Sequence, residues 1–307
     1  MRVAAALAAL LLATASAAQE QAPAETIAAD TDATDRMTVP VSIGGRGPYR
    51  FMIDTGAERT AIARELAADL GLGPGRTATV HSMSEVSRIP TVVIPALEVG
   101  RRTVSDIHAP ALRRHYLGAE GLLGVDSLQS QRVELDFVRN EMTVVSARRP
   151  EPDWPGDTIV IRARSRFGHL MLVDASFEGE RVWVIVDTGA ELTMANNALR
   201  RRLARHRRLG PTTPIEMVSV TGGRLLADLA IAREIRIGGM TITDMPVAFA
   251  DAQPFHHLDL LDRPALLLGM NALRLFERAS FDFASRRVRL MVRGRSQLRR
   301  DARLAAP

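Results

Sequence analysis

Phe51-Met52-Ile53-Asp54-Thr55-Gly56-Ala57 and Trp183-Val184-Ile185-Val186-Asp187-Thr188-Gly189-Ala190 decide how this 307-residue chain is read. Each is an apolar run ending on Asp-Thr-Gly-Ala, followed by a glutamate and a mixed apolar stretch. A carboxylate at the end of a buried strand is costly unless something satisfies or uses it. Two of them in matching contexts point to a pair that shares one proton, which is the arrangement of an acid–base catalyst.

The motifs sit inside a larger repeat. Leu122-Leu123-Gly124 recurs as Leu267-Leu268-Gly269, and Glu134-Leu135-Asp136-Phe137 as Ser280-Phe281-Asp282-Phe283. Ala96-Leu97-Glu98-Val99-Gly100 matches Glu234-Ile235-Arg236-Ile237-Gly238. The offset between copies grows slowly, from 133 at the aspartates to 146 at the last pair, as a duplication with small loop insertions would give. A single Asp-Thr-Gly reads equally well as a buried turn capped by its own Asp. Two copies in a tandem repeat favour a catalytic pair.

On these residues the chain resembles the retropepsin-like aspartic proteases, in a tandem bacterial exported form with both halves on one chain. The resemblance implies an all-β fold of two β-barrel lobes forming a pseudo-dimer, with a short helix after each Leu-Leu-Gly. It implies catalytic Asp54 and Asp187, one from each half, activating a water between them. Thr55 and Thr188 would interlock the two loops across the interface, with Gly56 and Gly189 admitting backbone close to the carboxyls. Ala57 and Ala190 lack the hydroxyl that would favour the charged form of the adjacent carboxyl. The glycines of the Leu-Leu-Gly segments would pass beneath the active-site loops, and Asp126 and Asn271 would cap the helices that follow.

The flaps expected of such a fold fall between each motif and the next strand. In the second half, Ile215–Val220 and Arg224–Ala227 flank Thr221, Gly222 and Gly223, a good hairpin tip. In the first half, 77–80 and 89–94 flank a tip containing Met83 and Ser84 but no glycine. Helices are expected after each motif, the first with Ile62, Leu66, Leu70 and Leu72 on one side, the second capped by Asn196 or Asn197.

The domain plan is a signal peptide over 1–18, a flexible leader over 19–36, one lobe over 37–146, a Pro-rich linker over 147–157, a second lobe over 158–292 and a basic tail over 293–307. Arg2 followed by the apolar run Val3–Ala13 and small residues reads as an export signal, too short to span a bilayer. That places the mature protein in the periplasm or outside the cell. Cysteine is absent, which excludes disulfides and thiolate chemistry. Aromatics are 4 %, so the cores must be aliphatic. The formal charge of +5 is concentrated in arginines near 200–208 and at the C-terminal end, without interleaved aromatics, so no nucleic-acid partner is expected. His256-His257 is the one adjacent histidine pair, and neighbours in a loop seldom converge on a metal ion. No metal or cofactor is expected. The expected activity is that of an aspartic-type endopeptidase acting as a monomer on peptide or protein. The competing reading is a non-catalytic peptide-binding or scaffolding module on the same fold.

Overall fold

Met37, Val39, Val41 and Ile43 alternate along one strand and are all buried, and a tight hairpin returns the chain through Arg46–Ile53 to the first aspartate. The computed structural model describes residues 24–32, 34–128, 131–154, 157–172 and 174–293. The signal segment 1–18 and the tail from 294 onward lie outside the described residues. Strands dominate and the helices are short, as the resemblance implies.

In the first half, strands 37–43, 46–53, 121–123, 61–63, 102–112 and 91–99 run in that order and close on themselves through Val41 opposite Val99 and Ile43 opposite Leu97. This is a complete six-stranded barrel. The second half makes the equivalent closing pair, Ala175 opposite Ile237 and Phe177 opposite Ile235. There the strand is interrupted between His169–Leu172 and Ala175–Phe177, so the pair belongs to a separate four-stranded sheet and the barrel is not closed in one sheet. In each half the Leu-Leu-Gly strand lies parallel to the strand that carries the aspartate, Leu123 beside Ile53 and Leu268 beside Val186. A short helix follows each, Val125–Leu128 and Met270–Leu273.

One long sheet joins the halves. The halves meet in it at the antiparallel pair 131–136 and 276–282, in which Glu134 lies opposite Ser280. These two residues are repeat equivalents, so a local two-fold axis passes through this pair. Val133 and Phe281, also paired, are fully buried, and Arg278 reaches Asp136 at 2.9 Å. The linker is tied down beside this sheet. Buried Arg132 donates to the carbonyls of Arg149 (2.9 Å) and Pro150 (3.1 Å), and the Arg289 guanidinium lies 4.4 Å from the centre of the buried Trp154 ring.

Of the flexible leader expected over 19–36, residues 19–23 and 33 lie outside the described residues, and the rest is a correction. Glu25–Ala28 is a strand paired with Glu141–Val144, and Asp30–Thr31 pairs with Met37–Thr38. The first of these is the counterpart of Thr158–Arg166, which flanks the same sheet on the other side. Buried Ile27 supplies the apolar anchor that makes ordering this polar stretch favourable. Ile27→Ala is expected to cost about 2 kcal/mol or more in a urea melt. A change below about 0.5 kcal/mol, as at an exposed site, would return the segment to a mere leader.

Candidate active site

Each aspartate leaves its strand at a point where the neighbouring Leu-Leu-Gly strand catches its backbone. Asp54 N–H donates to the Leu123 carbonyl (3.0 Å) and Asp187 N–H to that of Leu268 (3.1 Å). The loops then meet across the axis. Thr55 N–H donates to Thr188 Oγ1 (3.0 Å), and Thr188 N–H to Thr55 Oγ1 (3.2 Å). The Thr55 hydroxyl donates to the Val186 carbonyl (3.2 Å), and that of Thr188 to the Ile53 carbonyl (2.7 Å). Both threonines are buried, so these bonds form in a poorly screened interior.

The interlock brings the carboxyls of Asp54 and Asp187 within hydrogen-bonding reach of each other. A Cβ at Gly56 would overlap the Asp187 carboxyl, and one at Gly189 that of Asp54, so glycine is required at both positions. Gly124 and Gly269 are packed as closely against the backbone of Arg59 and Leu192, which places both Leu-Leu-Gly segments beneath the loops. Asp126 and Asn271 are a correction. Neither sits at an N-cap: both lie within their helices and brace the chain after each loop, accepting from the N–H and hydroxyl of Thr60 (both 2.8 Å) and of Thr193 (2.9 and 2.7 Å), and Asp126 also accepts from Ser127 N–H in the first turn of its own helix (2.8 Å).

The two carboxyls are not equivalent. Asp187 accepts N–H bonds from Gly189 (2.9 Å) and Ala190 (3.1 Å), whereas Asp54 accepts one from Gly56 (2.9 Å). Burial pushes Asp54 well above the usual carboxylate range, and the facing charge of Asp187 pushes it further. Burial also raises Asp187, opposed by the Gly189 N–H, the nearby His169 and the hydrogen bond from Asp54. The second N–H donor favours the charged form of Asp187 over that of Asp54.

The flaps close over this pair. Ala78–His81 pairs with Val86–Ile89, so the first flap returns at residue 86 rather than at 89, and Thr213–Val218 pairs with Arg224–Ala232 in the second. Their tips are joined by hydroxyls: Ser84 to Ser219 (2.9 Å) and Thr221 to Ser82 (3.0 Å). Met83 packs against the second lobe, and its carbonyl accepts from Gln253 N–H (3.0 Å). Gly222, at φ +89°, leaves room for the Tyr116 ring, and Gly223 lies against Ser84 and Glu85. Beneath the flaps is a cavity of about 550 Å³ lined by the dyad, by aliphatic side chains and by a polar cluster.

That cluster was not expected. Glu58 Oε1 lies 2.6 Å from His257 Nε2 and 3.8 Å from His169 Nε2, and the His81 ring of the first flap stacks on His257 with centroids 4.3 Å apart. His169 and His257 together pull the Glu58 carboxyl down to about 2, against the opposing effect of burial. Burial and the neighbouring His257 push His81 below its usual value. His256, the other member of the adjacent pair, is exposed. Among the described residues no group of three or more metal-binding side chains is placed to hold an ion.

Two outcomes are expected from this geometry. Thr55→Val keeps the side-chain volume but strands the Thr188 N–H and the Val186 carbonyl, and should cost about 1–3 kcal/mol in chemical unfolding. The same change at Thr188 should cost as much, and the double mutant less than the sum, because the bonds are reciprocal. Strict additivity would mean that the threonines act separately. The second outcome concerns pH. Folding raises the carboxyl pKa values above the ordinary 3.8, so as pH climbs from about 4 the unfolded chain gives up protons that the folded pair keeps. This contribution is complete at low pH and declines until the folded pair has titrated. Asp54→Asn should flatten that decline and leave the protein at least as stable at pH 7, read from unfolding midpoints across pH.

A family model described as Aspartyl protease matches twice, over residues 39–127 and 173–272, which together make more than half of the chain. Each match contains one Asp-Thr-Gly-Ala loop and its Leu-Leu-Gly strand. No curated protein matches the chain in sequence. The double match, set on a duplicated fold with its paired loops, shows that the chain belongs to the aspartyl protease family.

Proposed function

We propose that the protein is an endopeptidase that hydrolyses peptide bonds through the Asp54–Asp187 pair. The observation that carries this reading is the unequal donor set around two facing carboxyls, one N–H on Asp54 and two on Asp187, under closed flaps. A peptide lying beneath the flaps has its scissile carbonyl beside the pair. Ionised Asp187 takes a proton from a water held between the carboxyls while Asp54 gives its proton to the carbonyl oxygen. The water oxygen bonds to the carbonyl carbon, and a neutral gem-diol results. Asp54, now ionised, takes back a proton from one gem-diol hydroxyl as the C–N bond breaks, and Asp187 delivers its proton to the leaving nitrogen. The products are a carboxylic acid and an amine, and the pair returns to its starting state.

A binding module without chemistry has no use for a buried like-charge pair, whose retention destabilises the fold as pH rises. Two intact carboxyls therefore favour the enzyme over a scaffolding role. The pair is completed within one chain, which supports action as a monomer. Export rests on the short basic start and apolar run of the first 18 residues. No helix among the described residues is long and apolar enough to cross a membrane.

Asp54→Asn or Asp187→Asn alone should reduce turnover of a peptide library to background while the folded spectrum is kept. Substantial hydrolysis by either variant would remove the pair from the mechanism. With alanines at 57 and 190, no hydroxyl favours the doubly ionised form, so activity should extend to near-neutral pH and fall on the alkaline side as the shared proton leaves. Ala57→Ser with Ala190→Ser should lower that upper limb in the kcat/KM profile. A limb that stays or rises would assign the control to other groups.

A further inference from the structure

Apart from the dyad, the charged side chains lining the cavity are Arg36, Glu58, Arg59, Glu191 and Glu216. Three of them are engaged. Arg36 Nη2 lies 2.8 Å from Asp32 Oδ2, Glu58 is bridged by His257 and His169, and Glu216 pairs with Arg224. Arg59 and Glu191 are both exposed, and their charged groups meet no ion-pair or hydrogen-bond partner among the described residues. The two lie on different active-site loops, Arg59 beyond Asp54 and Glu191 beyond Asp187, hence on opposite sides of the local two-fold axis.

The structural twins of these residues sharpen the contrast. Gly124 packs beneath Arg59 as Gly269 packs beneath Leu192, so the counterpart of Arg59 is an apolar side chain. The counterpart of Glu191 is Glu58, whose charge two imidazoles hold. One flank of the cleft therefore presents an uncompensated cation and the other an uncompensated anion, while Val80, Met83, Met217 and Leu267 make the middle apolar.

We infer that Arg59 and Glu191 read side-chain charge on opposite sides of the scissile bond, selecting peptides with an acidic residue on one side of an apolar cleavage site and a basic residue on the other, in one order only. This rests on the peptidase reading above. In a partly enclosed cleft a matched charge is worth more than on open surface, so the favoured order should exceed the reversed one by at least about tenfold in kcat/KM.

The test uses two peptides of identical composition, acidic–apolar–apolar–basic and its reverse, with the full chain. The parent should cleave one at least about tenfold faster, a ratio that shrinks with added salt. The charge exchange Arg59→Glu with Glu191→Arg should invert the ratio, which serves as its own control for any general loss of activity. Equal rates in the parent, or a ratio unmoved by the exchange, would overturn the inference. The same ratio is read as Kd by fluorescence anisotropy with labelled peptides on Asp54→Asn protein, with and without the exchange. A charge-order preference in Kd that inverts, without hydrolysis by the parent, would sink the peptidase reading and keep this one. Equal Kd values, or no binding of either peptide, would sink this one.

Discussion

Everything in the centre of the molecule depends on the exchange of hydrogen bonds between Thr55 and Thr188. Two buried carboxyls repel as soon as both are charged, and nothing local to either loop would keep them together. The threonines hold each loop to the backbone of the other half, through bonds that cannot be replaced by water where they sit. The long sheet secures the same axis from below, where Glu134 meets its own repeat equivalent Ser280. With the axis held at both ends, the carboxyl pair has one relaxation left to it, which is to retain a proton.

The preference between the two carboxyls follows from a small break in symmetry. The sequence from each aspartate onward is the same for five residues, yet Ala190 N–H reaches Asp187 in addition to the bond from Gly189. The environment differs more widely further out. His169 stands near Asp187 and Arg36 near Asp54, and the offset of 133 makes these two residues repeat equivalents. One is a permanent cation already held by Asp32, and the other a titratable ring beside Glu58.

The parts of this structure that were legible in the sequence are those repeated in it. The aspartate loops, the Leu-Leu-Gly strands beneath them and the hairpin with Thr221 at its tip each carry a local pattern. The helix cap was readable only as Asn196 or Asn197, and it is Asn196 that accepts from Leu199 N–H (3.0 Å). The strand Glu25–Ala28 was not, because four residues with one buried side chain carry no periodic signal of their own. The repeat could have found it, since the offset of 133 sets Glu25–Ala28 against Thr158–Ile161. The contacts of Glu58 with His169 and His257, and those of Asp126 with Thr60, join positions far apart in the chain, and only the folded backbone brings them together. The helix Arg64–Asp69 is shorter than its apolar spacing suggested, because Ile62 is spent in a strand, opposite Gly121.

The pinned linker has a consequence for how such a molecule can change. Arg132, Arg289 and the buried Trp154 fasten the connection between the lobes, so the meeting of the two aspartates is an event within one chain, and dilution does not undo it. A pair of identical chains would copy every substitution onto both walls of the cleft at once. Here each wall has its own codons. Arg59 can have Leu192 as its counterpart, and a histidine-bound Glu58 a bare Glu191, without either choice being forced on the other side. Duplication fused into a single polypeptide keeps the geometry of a symmetric dimer while releasing its chemistry from symmetry.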